Sequence, residues 1–275
     1  MTHLQYPLAL DFGITRIVES NHTSTRPLLL VHGMGSRADR FAHNVEFLGH
    51  LGYRAVALDL PGHGFSSKGS ELPHTVESLR DVVIEVLDFL SAEGASEPAS
   101  LVGTSLGGHV CAAVAIERPE QTRNLVLIGS MGLEALGPEA RNQFGQRVPD
   151  TSMTAIRSKL TKLVVDPQLV TDVWLAEEFR INNSPGAAEY FAALGEYVAE
   201  SIDNDLVAER LGAISDNVNI HLAWGVHDRS IDLSVAERIH DEYGFGLTTF
   251  SESAHAPYLE EYDAFNGYLE AVLSQ

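Results

Sequence analysis

The sequence is short of cysteine, of basic side chains and of long apolar runs. Its single cysteine, Cys111, excludes an internal disulfide. Lysine and arginine number 18 against 38 aspartate and glutamate residues, which gives a formal net charge of −20. This charge argues against nucleic acid and anionic membranes as partners, because both would repel it. No apolar stretch reaches membrane-spanning length and the amino terminus lacks signal-peptide features, so we expect a cytoplasmic protein.

Motifs for metals and phosphates are also missing. The chain has no HExxH or paired CxxC spacing, and no glycine-rich phosphate loop accompanies a strand. We therefore expect no metal and no cofactor, and a small molecule as the substrate. The composition leaves the oligomeric state open, a homodimer included. With 275 residues, of which 44% are hydrophobic, the chain is long enough for one large α/β domain with an insertion or for two smaller domains.

A serine between two glycines is the most informative local feature. Residues 103–107 read GTSLG and lie between an apolar strand candidate, Ala99 to Val102, and a helix candidate of small residues, Leu106 to Glu117. In that context the pattern is typical of a nucleophile elbow, a tight turn that lifts the serine hydroxyl clear of the sheet. Only glycine tolerates such a turn at low energetic cost. The sequence therefore predicts Ser105 as a catalytic nucleophile.

A second loop is placed to stabilise the negative charge that develops on the carbonyl oxygen of the substrate. The apolar strand candidate Leu28 to Val31 runs into a loop that contains Gly33 and Met34. Such a loop supplies one backbone N–H to an oxyanion hole, and the residue after the nucleophile supplies the other. The predicted donors are the N–H groups of Met34 and Leu106. We expect Gly33 to line the substrate site.

Two residues near the carboxyl end complete a triad in the order serine, aspartate, histidine. Asp228 follows the strand candidate Asn219 to Trp224, and His255 follows the strand candidate Gly246 to Phe250. The carboxyl ends of strands are where α/β sheets keep their chemistry. The sequence therefore predicts Asp228 as the triad acid and His255 as the base.

The acid has one rival and one alternative position. Asp232 is four residues further on, where it could instead cap the following helix. The acid could also follow the preceding strand candidate, Asn124 to Ile128. That strand candidate is followed by no carboxylate before Glu134. Asp228 therefore remains the predicted acid.

Strand and helix candidates alternate along the chain, which predicts a mostly parallel, eight-stranded sheet with helices on both faces. An antiparallel hairpin from Leu8 to Glu19 opens it. The alternation stops over residues 131–214, where only helix candidates are convincing. We expect a core from residues 1–130 and 215–275, and a helical cap from residues 131–214 that encloses the pocket. Within the cap, Ser184 and Pro185 are expected to open a helix.

Together these features make the chain similar to the α/β-hydrolases, in which the turn DLPGHGFS at residues 59–66 also recurs. The string VVDPQLVTD at residues 164–172, with Arg180 behind it, resembles the meta-cleavage product hydrolases. Those enzymes hydrolyse a carbon–carbon bond in vinylogous diketone acids formed during aromatic ring degradation. The resemblance implies a small keto-acid substrate and a cap arginine that binds its carboxylate. Arg180 is the candidate for that arginine.

The sequence also departs from that family in three places. Met34 and Ser36 interrupt its glycine-rich loop, Thr104 replaces a common asparagine, and Ala256 replaces a common tryptophan. Hydrolysis of a small ester, lactone or amide is therefore an alternative on the same residues. A cofactor-free oxygenase or perhydrolase and a non-catalytic receptor for a small ligand are two further hypotheses, because a fold alone does not determine its chemistry.

Overall fold

The computed structural model describes residues 3–274, and an eight-stranded sheet runs through it. The strands are β1 (Leu4–Leu10), β2 (Gly13–Ser20), β3 (Pro27–Val31), β4 (Arg54–Leu58), β5 (Ala99–Thr104), β6 (Thr122–Ile128), β7 (Asn219–Gly225) and β8 (Gly246–Phe250). Their order is β1-β2-β4-β3-β5-β6-β7-β8. β2 is antiparallel to β1 and β4, and every other neighbouring pair is parallel. The predicted, mostly parallel sheet with its opening hairpin is confirmed.

Eleven α-helices are formed within the described residues. They are α1 (Ala42–His50), α2 (Val76–Ala92), α3 (Leu106–Glu117), α4 (Pro138–Arg147), α5 (Met153–Leu163), α6 (Asp172–Asn182), α7 (Ala187–Glu200), α8 (Ala208–Gly212), α9 (Leu233–Tyr243), α10 (Pro257–Glu260) and α11 (Tyr262–Leu273). None of these helices is both long and apolar enough to cross a membrane.

Both faces of the sheet are covered by helices. Leu29 and Val31 of β3 pack on one face with α2 and α3, and Leu28 and Leu30 pack on the other face with α1 and α11. Successive side chains of a strand point to opposite faces, so a strand buried on both faces needs an unbroken apolar run. The burial of all five residues of β3 explains its sequence PLLLV.

The stretch between β6 and β7 contains five helices and no strand. α7 and α8 join the main core, where Tyr190, Phe191 and Leu211 are buried. α5 and α6 instead share a small cluster of their own, made by Ile156, Leu160, Val164, Val170 and Leu175. Within residues 131–214, the α5–α6 pair is thus packed separately from the main core. The division of the chain into a core and a helical cap over residues 131–214 stays a prediction.

One predicted helix start is wrong. α7 begins at Ala187, with Gly186 as its N-cap residue in the left-handed region at φ +82°. A Cβ at Gly186 would lie 2.7 Å from the carbonyl oxygen of Lys68, so a side chain has no room there. The Ser184 hydroxyl donates to the carbonyl of Ile181 at 2.8 Å. Ser184 therefore closes the preceding helix instead of opening the next one.

Candidate active site

Ser105 occupies a strained turn between β5 and α3. Its φ of +55° and ψ of −118° lie outside the regions that a non-glycine residue normally adopts. A Cβ at Gly103 would overlap the carbonyl oxygen of Gly107, and a Cβ at Gly107 would overlap that of Val31. The two glycines thus allow three backbone segments to approach one another beneath the serine. This is the predicted elbow geometry, and the Ser105 side chain is partly exposed at its apex.

Asp228 and His255 form a buried, hydrogen-bonded pair. Oδ2 of Asp228 lies 2.7 Å from Nδ1 of His255. The other carboxylate oxygen accepts the N–H groups of Ser230 at 2.7 Å and Ile231 at 3.0 Å, which fixes the orientation of the carboxylate. Asp232 is exposed and caps α9. The structure therefore brings Asp228, and not its rival, to the histidine.

The three predicted triad residues all lie close to the end of β6. The N–H of Ser105 donates to the carbonyl of Ile128 at 2.9 Å. A Cβ at Gly129, where φ is +48°, would lie 2.8 Å from Nδ1 of His255 and 3.0 Å from Oδ2 of Asp228. Because Asp228 occupies Nδ1, the other ring nitrogen of His255, Nε2, is the one left for proton exchange.

The loop after β3 lies directly against the elbow. A Cβ at Gly33 would be 3.1 Å from the Cβ of Ser105, so this glycine brings backbone close to the serine. Nδ1 of His32 donates to the carbonyl of Gly33 at 2.8 Å, and its Nε2 accepts the N–H of Leu60 at 2.9 Å. Burial lowers the pKa of His32, consistent with a neutral ring. The N–H of Leu106 belongs to the first turn of α3, whose donors have no acceptor within the helix.

Arg180 does not reach this site. The face of α6 that packs inward carries Leu175, Glu178 and Ile181, and Arg180 is exposed. Two residues along a helix correspond to a rotation of roughly 200°, so Arg180 points away when Glu178 points inward. Arg180 borders a surface depression with Lys68, and Ser105 is not part of its lining. Arg180 is therefore not placed to be the carboxylate-binding arginine that the resemblance implied.

A different cation from the same region approaches the loop after β3. Lys159 of α5 is partly buried, and its Nζ donates to the carbonyl of Gly35 at 2.7 Å, one residue beyond Met34. One turn further along α5, the carbonyl of Leu163 accepts the N–H of His255 at 3.1 Å. α5 therefore runs from the predicted oxyanion loop to the histidine. Burial lowers the pKa of Lys159.

The sequence reasoning missed Lys159, although a local signal existed. Ile156 and Leu160 mark the buried face of α5, and Lys159 lies between them on that face. A lysine inside an apolar helical stripe indicates either a covered aliphatic stem or a charge directed at a site. Among residues 3–274, no carboxylate oxygen lies within 4.0 Å of its Nζ.

An ion cluster attaches α6 to the loop after β3. Glu178 and Arg37 are each 2% exposed, and Oε1 of Glu178 is 3.1 Å from Nη1 of Arg37 and 2.5 Å from Nη2 of Arg40. Arg37 also contacts Glu177 and, at 2.7 Å, Asp39. The acidic groups here are thus paired with arginines. In the described part of the chain, no group of three or more His, Cys, Asp or Glu side chains is arranged to hold a metal ion.

Comparison with known proteins gives the same superfamily. Residues 23–178 match the family model Hydrolase_4, described as serine aminopeptidase, S33. The chain is 29% identical over 248 residues to the dihydrolipoyllysine-residue acetyltransferase component of the acetoin cleaving system of Pseudomonas putida, covering 90% of this chain and 63% of that protein. It is 31% identical over 170 residues to 2-hydroxymuconate semialdehyde hydrolase of Pseudomonas sp. (strain CF600), covering 61% of this chain and 58% of that protein. The chain thus spans less than two thirds of the length of these two relatives.

Among solved structures, 2-hydroxy-6-oxo-6-phenylhexa-2,4-dienoate hydrolase from Rhodococcus sp. strain RHA1 superposes with a TM-score of 0.85 over the whole of both chains. Its sequence identity is 20%, so this similarity shows the fold alone. The family match covers more than half of the chain and contains both Gly33 and Ser105. The chain therefore belongs to the serine aminopeptidase S33 family of α/β-hydrolases.

Proposed function

We propose that Ser105, His255 and Asp228 form a catalytic triad that hydrolyses a carbon–carbon bond in a small ring-fission keto acid. The observation that carries the triad is the 2.7 Å hydrogen bond between buried Asp228 and His255, next to a serine held in a strained elbow. Asp228 keeps the proton of His255 on Nδ1 and stabilises the imidazolium that forms during the reaction.

The proposed reaction begins when the hydroxyl proton of Ser105 passes to Nε2 of His255 while Oγ bonds to the substrate carbonyl carbon. The N–H groups of Met34 and Leu106 stabilise the negative charge that develops on the carbonyl oxygen. When the carbonyl re-forms, the carbon–carbon bond breaks and His255 returns the proton to the departing carbon. Water then cleaves the acyl-enzyme by the same proton transfers and releases a carboxylic acid.

Lys159 is the positive partner that a substrate carboxylate would need. A substrate carboxylate buried without a positive partner would be strongly unfavourable, and the chain carries a net charge of −20. Lys159 supplies a partly buried ammonium group beside Gly35, with no carboxylate within 4.0 Å among residues 3–274. We assign it the role that the sequence suggested for Arg180. Gly33, which contacts Ser105, completes the wall next to the scissile bond.

The relatives support this class of substrate. The curated relative from Pseudomonas sp., 31% identical over 170 residues, is named as a hydrolase of 2-hydroxymuconate semialdehyde. A relative from Escherichia coli, 27% identical over 257 residues, is named as a hydrolase of 2-hydroxy-6-oxononadienedioate.

A second candidate function is hydrolysis of a small ester, lactone or amide. Two positions beside the triad favour it, because Thr104 and Ala256 replace the asparagine and tryptophan that are common in meta-cleavage product hydrolases. Thr104 is buried directly before Ser105, and its hydroxyl offers one donor where an asparagine amide offers two.

Parallel kinetics on two substrate types distinguish the candidates. The purified chain is assayed with coloured 2-hydroxy-6-oxohexa-2,4-dienoates and with neutral 4-nitrophenyl esters. We expect kcat/KM to be at least 10-fold higher for the acids, and Ser105→Ala to lower turnover by roughly 10⁴ to 10⁶. A strong preference for neutral esters would favour the second candidate, and full activity of Ser105→Ala would refute the triad.

The role of Lys159 has a matched control on the same helix. Lys159→Met should raise KM for the acids about 10-fold or more and leave KM for the neutral esters almost unchanged. Lys162 lies three residues further along α5 and is exposed, so Lys162→Met should change neither value. Equal effects of the two substitutions would show that Lys159 does not contact the substrate carboxylate.

A further inference from the structure

The loop that carries His255 is attached to the end of α5. The N–H of His255 donates to the carbonyl of Leu163, the last residue of α5, at 3.1 Å. The backbone of His255 is therefore held by the helical insertion, residues 131–214, while its side chain is held by Asp228.

Glu260 adds a second link between the same two segments. Its Oε1 accepts the N–H of Ala254, the residue before His255, at 2.8 Å. Its Oε2 accepts the N–H of Val165, just after α5, at 2.5 Å. Burial raises the pKa of Glu260, while its bonds from backbone N–H groups favour the ionised form.

A carboxylate is required for this bridge. Each of the two bonds uses a different oxygen, and both donors are backbone N–H groups whose direction is fixed. Glutamine has the same shape but only one acceptor oxygen, and its amide nitrogen would face an N–H donor. Glu260→Gln therefore breaks one of the two links.

We propose that Glu260 is a positioning residue that couples the Leu163–Val165 segment to His255. His255 is then correctly placed for Ser105 only while that segment is seated against its loop. This inference rests on the proposed triad, and it concerns how the insertion controls the base and not which substrate is bound.

The next residue provides a matched control. Glu261 also uses its carboxylate to hold the loop before His255, accepting the N–H of Glu252 at 3.0 Å and the hydroxyl of Ser253 at 2.6 Å. These hydrogen bonds of the Glu261 carboxylate involve no residue of the α5 segment. Both glutamates therefore accept hydrogen bonds from the loop before His255, and the Glu260 carboxylate also accepts one from Val165 of the insertion.

The test measures how fast a fluorophosphonate labels Ser105, so it requires no knowledge of the substrate. In this reaction Oγ bonds to phosphorus, the P–F bond breaks, fluoride leaves and the hydroxyl proton goes to His255. Labelling is followed by intact-protein mass spectrometry for Glu260→Gln, Glu261→Gln, Val165→Pro and the two double variants that contain Val165→Pro. Val165→Pro removes the donor on the α5 side, and its ring carbon replaces the N–H hydrogen, so the Glu260 carboxylate must withdraw from it. Val164 already has the extended conformation that precedes proline, with φ −129° and ψ 153°.

We expect Glu260→Gln and Val165→Pro each to slow labelling about 10- to 100-fold, because a small displacement of the base slows proton transfer. The double variant should be no slower than the slower single variant, since both changes break the same link. Glu261→Gln should leave the labelling rate almost unchanged, alone or combined with Val165→Pro, because both bonds of Glu261 use one oxygen, which glutamine also provides. The final extent of labelling should remain one label per chain in every variant. A lower final extent would instead indicate a partly unfolded protein.

Labelling of Glu260→Gln within twofold of the native rate, or multiplication of its effect with that of Val165→Pro, would overturn the proposal. If Glu260→Gln does not fold, Val165→Pro alone decides, and a native labelling rate overturns the coupling. A native chain that does not label, or a Ser105→Ala chain that does, would instead refute the triad.

Discussion

Replacing Glu178 with glutamine should weaken the attachment of α6 to the core far more than the same replacement of its neighbour Glu177. The Glu178 side chain is 2% exposed and contacts Arg37, Arg40 and, at 3.2 Å, the indole N–H of Trp174. The Glu177 side chain is 48% exposed, and it contacts the guanidinium of Arg37 from the solvent side. The two substitutions remove the same charge at adjacent positions, so they differ mainly in burial.

The expected magnitude follows from which cations lose a partner. Removing one member of a buried ion pair typically costs ~3–5 kcal/mol. Arg37 keeps Asp39 at 2.7 Å and Glu177, whereas Arg40 loses the only carboxylate within 4.0 Å of it among residues 3–274. With one cation still paired, we expect Glu178→Gln to lower the free energy of unfolding by about 2–3 kcal/mol. Glu177→Gln should cost less than about 1 kcal/mol, as is usual for exposed pairs.

The contribution of Glu178 to the free energy of unfolding should decrease in acid. Burial opposes the ionisation of Glu178, but the positive charges of Lys159, Arg40 and Arg37 outweigh it and lower the pKa of Glu178. A carboxyl group with a lowered pKa stabilises the folded state above its unfolded-state pKa, and this contribution is lost as pH falls through the folded-state pKa. The stability difference between the native chain and Glu178→Gln should therefore be full at neutral pH and shrink in acid.

Urea unfolding followed by far-ultraviolet circular dichroism and tryptophan fluorescence measures these differences. Trp174 reports on the attachment itself, because the Arg40 guanidinium lies 4.2 Å from its ring centroid. Trp224, in contrast, is buried on β7. An early fluorescence change in Glu178→Gln, absent in Glu177→Gln, would locate the loss at α6. A free energy of unfolding within about 0.5 kcal/mol of the native value, or equal effects of the two substitutions, would refute the reasoning.

Three further predictions concern the site. Asp228→Asn should lower kcat by about 10³–10⁴, whereas Asp232→Asn should leave steady-state rates unchanged because asparagine caps a helix as well as aspartate does. Met34→Pro removes one predicted oxyanion donor and should lower kcat by roughly 10²–10³ with an unchanged circular dichroism spectrum; normal turnover would place that donor elsewhere. Because burial lowers the pKa of Lys159, KM for acidic substrates should begin to rise at a pH below the ordinary lysine range, while KM for neutral esters stays flat. In Lys159→Met the alkaline rise should disappear, and its persistence would assign it to another group.

Features that depend on neighbours in the chain could be predicted from the sequence. The predicted bounds of α3 and β8 agree with the structure, because an apolar or small-residue pattern and its flanking residues determine such elements locally. The elbow was visible for the same reason, since two glycines within five residues are needed to make the turn around Ser105. The order of serine, aspartate and histidine then predicted which strand ends carry the acid and the base.

Features that depend on which helix face turns inward required the tertiary structure. α6 is oriented by the burial of Glu178 against Arg37, an ion pair that joins residues 141 positions apart, and this orientation points Arg180 outward. The N-cap position of α7 likewise depends on the approach of Gly186 to Lys68, which no local pattern contains.

The contacts around the candidate base are also long-range. Lys159 reaches Gly35 across 124 residues, and Glu260 reaches Val165 across 95. A hydrogen bond between residues so far apart leaves no periodic signal in either segment, because each segment satisfies its own local preferences in many possible packings. The sequence alone thus determined the superfamily and the candidate triad. The packing of α5 and α6 on the core decided which cation and which glutamate lie beside that triad.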